Sequence, residues 1–175
     1  STDCVFDGKI GNYSENSIAS ASDHYGQSKF LGEASGVNCL TLRLSIIGRE
    51  ILSKTELVEW FLSQKGKAVN GYGKVYYTGL TTRFVANEVN RIIEKFPTLT
   101  GLYQVAAEKI SKYELLKLIN QKLNNQAELN NDSNKKSDKS LNCDLYVAKT
   151  GFKKPTWDEM ISDLQSDNSF YEART

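Results

Sequence analysis

The chain has 175 residues, with 22 Lys and Arg against 21 Asp and Glu, and a formal net charge of +1 supplies no basic face for nucleic acid or an acidic membrane. Mean hydropathy is −0.46, no apolar run approaches the roughly 20 residues of a membrane span, and no charged-then-apolar leader opens the chain, which gives the expectation of a cytoplasmic protein. Cys4, Cys39 and Cys143 are widely spaced, form no CxxC, and share the chain with one histidine, His24, so neither a disulfide framework nor a metal site is expected.

In chain order, residues 1–6 (STDCVF) read as the end of a buried strand running into the loop Asp7–Gly11. A helix is expected over Asp23–Ser35, with Gly36 as its C-cap. Residues 38–47 (NCLTLRLSII) read as a strand buried on both faces, with Cys39 a small core residue. Helical spacing resumes at Thr55, carrying Leu57, Val58, Phe61 and Leu62, and stops at Gly66. Residues 68–82 are rich in Gly and Tyr and suggest short strand and loop. An amphipathic helix follows, with Val85, Val89, Ile92, Ile93 and Phe96 on one face and Pro97 at its end.

Residues 101–106 (GLYQVA) read as a short strand, and Ser111 with Glu114 makes a capping box for a helix bearing Leu115, Leu116, Ile119 and Leu123. The Asn-, Lys- and Ser-rich stretch 124–140 reads as a low-complexity loop in which Lys135 and Lys136 are solvated. Thr156 and Glu159 open a last helix. Trp60 and Trp157 read as packing anchors, Cys143 as a core residue, and His24 as a polar residue at a helix start. Alternating strands and helices predict an α/β fold with a parallel sheet.

The chemistry concentrates in Tyr25-Gly26-Gln27-Ser28-Lys29. On a helix, a Tyr and a Lys four apart lie on the same face, one turn above each other. An ammonium there favours phenolate, lowering a tyrosine pKa and making the phenol a proton donor or acceptor near neutral pH. A Tyr and Lys at this spacing arise often by chance, but the context strengthens the reading. The hydroxyls of Ser1 and Thr2 stand at a strand end upstream, and a second strand follows the helix. Ligands of open α/β sheets bind at the carboxyl ends of the strands.

STDCVFDG, YGQSKFLGE and LTLRLSIIGRE together resemble an extended short-chain dehydrogenase/reductase, with the dTDP-4-dehydrorhamnose reductase family the most similar subgroup. YYTGLTTRFVANEV, GLYQVAAEKISKYELLKLI, DKSLN and TGFKKPTWDEMISDL resemble that family's substrate-binding part in order and spacing. The resemblance implies an NAD(P)-binding Rossmann-like fold with a partial parallel sheet and a small α/β substrate-binding subdomain. Residues 1–50 would hold the end of the Rossmann-like domain. Residues 51–175 would be mainly substrate-binding, with helix 82–96 packing back on the sheet.

It implies a catalytic set of Thr2, Tyr25 and Lys29: Tyr25 as proton donor to a sugar keto group, Lys29 lowering its pKa and holding the nicotinamide ribose, and Thr2 bonding the reacting oxygen. NADP or NAD is the implied cofactor, contacted by Tyr25, Lys29, Ser45 and Ile46. The implied partner is a dTDP- or UDP-linked sugar, met by Cys4 and Arg49, in cell-surface polysaccharide precursor synthesis; a homodimer is compatible with it. Epimerase and dehydratase relatives share the Tyr/Lys pair, and a non-catalytic reductase-like module is the alternative from another class. The family's Gly-rich phosphate turn finds no counterpart in these 175 residues, so weak NADPH binding by this chain is expected. Cys4 stands where many relatives carry Tyr, and Lys139 where they often carry Arg. The Tyr72, Tyr76, Tyr77 cluster suits a sugar-nucleotide pocket or edge-strand packing.

Overall fold

The computed structural model describes residues 1–172, of which Glu172 is described by its backbone alone. Two groups of strands organise it. In the first, Ser1–Thr2 lies parallel to the next strand through a bridge from Thr2 to Leu44, and β1 (Leu40–Arg43) pairs in parallel with β5 (Gly101–Gln104). Just beyond β1, β2 (Ile46–Ile47) pairs in parallel with β4 (Leu80–Thr81). The second group is a three-stranded sheet in the order β6 (Ile110–Ser111), β3 (Ala68–Tyr77), β7 (Glu128–Asp138), with β3–β7 parallel and β3–β6 antiparallel. The fold is mixed α/β with parallel pairing, as the alternation of elements predicts.

The helices are α1 (His24–Leu31), α2 (Leu57–Leu62), α3 (Thr82–Lys95), α4 (Lys112–Lys122), α5 (Asp144–Thr150), α6 (Trp157–Ser166) and α7 (Asn168–Glu172). Local chemistry explains their limits. Ser111 Oγ accepts from the Glu114 N–H at 3.1 Å at the start of α4, and Thr156 with Glu159 forms a complete capping box on α6. Gly151, left-handed at φ 64°, ends α5. Tyr146, Leu115, Ile119, Met160 and Ile161 are buried in the shared core, and Cys143 and Trp157 pack there as expected.

Several expectations are corrected. The strand read over residues 1–6 stops at Thr2, because the Thr2 hydroxyl accepts from the Cys4 N–H at 3.2 Å and turns Asp3–Val5 into a 3-10 turn. The helix expected to Ser35 ends at Leu31, and Gly32 rather than Gly36 is its C-cap. Cys39 is only half-buried and precedes β1, and Trp60 is 39% exposed rather than an anchor. The short strand and loop expected over 68–82 is the ten-residue β3, followed by β4. The largest correction is at 124–140. Eleven of those residues form β7, carrying Lys135 and Lys136 in a paired strand. Leu129 is its only large apolar residue, so pairing with β3, not hydrophobic alternation, makes it a strand.

Candidate active site

Thr2, at the end of its strand, is buried at 8% exposure, and its hydroxyl both accepts from the Cys4 N–H and donates to Asp3 Oδ1 at 3.2 Å. Asp23 caps α1 by accepting from the Gly26 N–H at 2.8 Å, a bond that holds its carboxyl below the ordinary range. The first turn of α1 then lies directly on the 3-10 turn. Gly26 is buried, and a Cβ built on it would fall 2.2 Å from the Cys4 carbonyl oxygen and 2.5 Å from Ala21 Cβ. This close approach draws the helix carrying Tyr25 and Lys29 onto the segment that follows Thr2.

Tyr25 and Lys29 are both exposed. Lys29 lies near the Ser1 amino group, whose proton affinity falls through burial first and then through the Lys29 charge. At the neighbouring strand end, Ile46 is exposed and Ser45 half-buried, with the Ser45 carbonyl accepting from Leu80 N–H at 2.8 Å. Thr2, Tyr25, Lys29, Ser45 and Ile46 thus lie on adjacent elements, with Thr2, Ser45 and Ile46 at the carboxyl end of parallel strands, where open α/β sheets take their ligands. Cys4 is half-buried, and burial, then the Asp3 charge, raises its thiol pKa.

Arg49 is placed differently. Its guanidinium pairs with Glu59, bonds Asn168 Oδ1 and lies 5.3 Å from the Tyr171 ring centroid. Arg43 is the last residue of β1. It is held by Glu33 through two bonds of 2.6 and 2.7 Å and lies over the Phe6 ring.

Asp3 and Lys112, which the motif reading did not single out, face the same region together with Tyr77. Asp3 is buried, and desolvation raises its carboxyl pKa against the opposing effects of Cys4, Lys139, Thr2 and Lys112. Lys112, the first residue of α4, places its ammonium 3.7 Å from the centroid of the Tyr77 ring. Tyr77 is almost wholly buried, and desolvation, then Asp3, pushes its phenol well above the ordinary value. No spacing rule joins positions 3, 77 and 112; only the tertiary fold does.

Beyond this end, a groove of about 580 Å³ runs between α2 and β3, lined by Leu57, Trp60, Gln64, Asn70 and Tyr72. Two exposed aromatic rings and two side-chain amides border it. Tyr72 therefore faces a groove, whereas Tyr77 is core. Among the described residues no cluster of His, Cys, Asp or Glu suits a metal ion, and no helix is long and apolar enough to cross a membrane.

No known family model matches the sequence, and no curated protein does. Solved structures do match. A hypothetical dTDP-4-dehydrorhamnose reductase from Sulfolobus tokodaii shares 29% identity at a TM-score of 0.72, over 90% of this chain and 60% of that one. The dTDP-4-dehydrorhamnose reductase from Bacillus anthracis, solved with NADP, aligns at a TM-score of 0.80 and 19% identity, over 95% of this chain and 64% of that one. A UDP-N-acetylglucosamine 4-epimerase from Bacillus cereus aligns at 0.76 and 15%, over 95% and 63%. The chain therefore spans about 60–64% of these structures and has the Rossmann-like fold of reductases of this kind and their relatives.

Proposed function

We propose that this chain is the carboxy-terminal part of an NAD(P)H-dependent nucleotide-sugar reductase acting on a 4-keto-deoxysugar linked to dTDP or UDP, in cell-surface polysaccharide precursor synthesis. The observation that carries the reading is the docking of α1, through Gly26, on the Cys4 carbonyl, with Tyr25 and Lys29 on that helix and Thr2 at the strand end beside it. The Sulfolobus tokodaii structure, similar over nearly the whole chain, supports it.

In this reading the keto oxygen sits between Thr2 and Tyr25. Tyr25 gives its phenolic proton to that oxygen, and Lys29 stabilises the phenolate left behind. Thr2 now donates to Asp3, so its hydroxyl turns from that carboxylate to reach the substrate. Exposed Ile46 and half-buried Ser45 offer a surface that fits the nicotinamide end of NAD(P)H, with Tyr25 and Lys29 at its ribose. When bound, the cofactor supplies the hydride that becomes the new C–H at the keto carbon. With no Gly-rich turn in the chain, its pyrophosphate and adenosine fall to another part of the protein.

Residues 1–50 serve the cofactor side and residues 51–175 mainly the sugar nucleotide. The groove between Trp60 and Tyr72 suits a nucleobase, since flat aromatic faces stack on bases and the Gln64 and Asn70 amides offer donors and acceptors. A second reading, epimerase or dehydratase, draws on comparable fold similarity to a 4-epimerase and to a dTDP-glucose 4,6-dehydratase, at TM-scores of 0.76 and 0.74.

The test is turnover of a dTDP-4-keto-6-deoxysugar by the full-length protein with NADPH and NADH. One cofactor oxidised per sugar reduced is expected, and Tyr25→Phe should lower kcat by about 10²–10⁴-fold. With a dTDP- or UDP-linked hexose that still carries its C4 hydroxyl, formation of the C4 epimer or of the 4-keto-6-deoxysugar without net cofactor turnover would mark the epimerase or dehydratase reading, and no conversion of either substrate a binding module.

A further inference from the structure

A cavity at the start of α3 lies on the other face of the first sheet from Tyr25 and Lys29. The β1–β5 register sets Arg43 beside Gln104 and Leu42 beside Tyr103. Arg43 turns to Glu33, just past α1, whereas the Tyr103 ring meets Tyr146 of α5, and the Tyr146 hydroxyl donates to Glu88 of α3. Successive residues of a strand point to opposite faces, so α3 and α5 share the face away from α1.

The cavity encloses about 240 Å³ between the first turn of α3, Gly48–Arg49, and the helices α6 and α7. α3 is 14 residues long, and its N-cap, Thr81, makes no side-chain capping bond. The first N–H groups of a helix have no partner within it, and the dipole there favours negative charge. Thr81 itself lines the cavity and is 2% exposed, and its hydroxyl has no hydrogen-bond partner among the described residues. A buried hydroxyl that neither caps nor is bonded is costly unless a ligand engages it.

The wall sets the ligand's class. Arg49 and Arg83 both border the cavity, but Arg49 is paired with Glu59, and Arg83 with Asp167 at 3.2 Å. These charges cancel in pairs. What remains is the positive helix end, which suits one negative charge rather than two. Ala86, Leu164 and the Tyr171 ring make the remaining wall apolar, a match for a short hydrocarbon stem.

We propose that this cavity binds a small monocarboxylate, with its carboxylate on the N–H groups at the start of α3 and the Thr81 hydroxyl, and its stem against Ala86 and Leu164. The site is separate from the proposed reductase centre and does not rest on that reading.

Butyrate is the probe, titrated into the full-length protein and followed through the amide resonances of Arg83 and Phe84, with n-butanol, chloride and inorganic phosphate for comparison. Saturable shifts are expected with a Kd of about 1–10 mM, in keeping with so few non-hydrogen atoms. Thr81→Val keeps the side-chain shape without the hydroxyl and should weaken butyrate about fivefold or more. Ala86→Leu, at an exposed position of α3, should abolish binding by filling the cavity. Unfolding midpoints of both variants check the fold. Absence of saturable shifts, equal shifts with n-butanol or chloride, tighter binding of phosphate than of butyrate, or unchanged affinity in either variant overturns the assignment.

Discussion

Gly26 packs against the carbonyl oxygen of Cys4 so closely that a Cβ would lie 2.2 Å from it. One residue before Gly26 is Tyr25, three after it is Lys29, and two before Cys4 is Thr2. A single backbone-to-backbone approach thus sets the distance between the helix and the strand end on which the proposed chemistry depends.

Gly26→Ala should therefore move α1, since a backbone carbonyl cannot swing aside as a side chain does. A loss of about 1–3 kcal/mol is expected, the range for overpacking a filled site. Gly32→Ala is the control: its nearest neighbour, the Ser28 carbonyl oxygen, lies at 3.4 Å, and its φ of −86° suits any residue. Urea unfolding of the two variants should separate them, and equal stabilities would show that the helix start tolerates displacement.

Arg43 and Glu33 form a forked pair with side chains 4% and 11% exposed. Arg43→Met should cost about 3 kcal/mol, because it strands a carboxylate with little access to water. Replacing both partners, as Arg43→Met with Glu33→Leu, should recover most of that loss. A double-mutant cycle by urea unfolding measures the coupling, and a double variant no more stable than Arg43→Met would contradict it.

Asp3 sets a pH dependence of definite sign. Burial raises its folded-state pKa above the ordinary 3.8, so the folded chain holds this proton more tightly than the unfolded one. The resulting stability is fully present below 3.8 and declines as pH rises through the folded value. Asp7, Glu33 and Asp138 have the opposite shift, and their contribution falls away as pH drops through their lowered folded values, about 2 for Asp7. Asp3→Asn should remove the decline above 3.8 while leaving the acid limb in place. Unfolding midpoints from pH 3 to pH 8 would show this as a flatter curve for the variant; parallel curves would mean that Asp3 does not titrate in that range.

Helix signals were the most legible part of the sequence, since caps and spacings act within a few residues. Ser111 and Thr156 open their helices where the capping pattern places them, and the Tyr25–Lys29 spacing lies on a helix. Strand limits were less legible. Residues 1–6 read as the end of a buried strand, yet a single amide-to-hydroxyl bond at Thr2 ends it.

By itself the sequence determined an α/β chain, a Tyr and Lys on one helix face, and a hydroxyl in a strand upstream, because these follow from local periodicity and short-range hydrogen bonding. Only the tertiary structure decided that the polar stretch Glu128–Asp138 is a strand, that Arg49 turns to Glu59, and that Lys112 shares a niche with Asp3 and Cys4. The reason is common to all three. A parallel partner strand supplies backbone bonds that no local pattern announces, and a buried charge is placed by elements distant in sequence, whose approach is set by packing of the whole core.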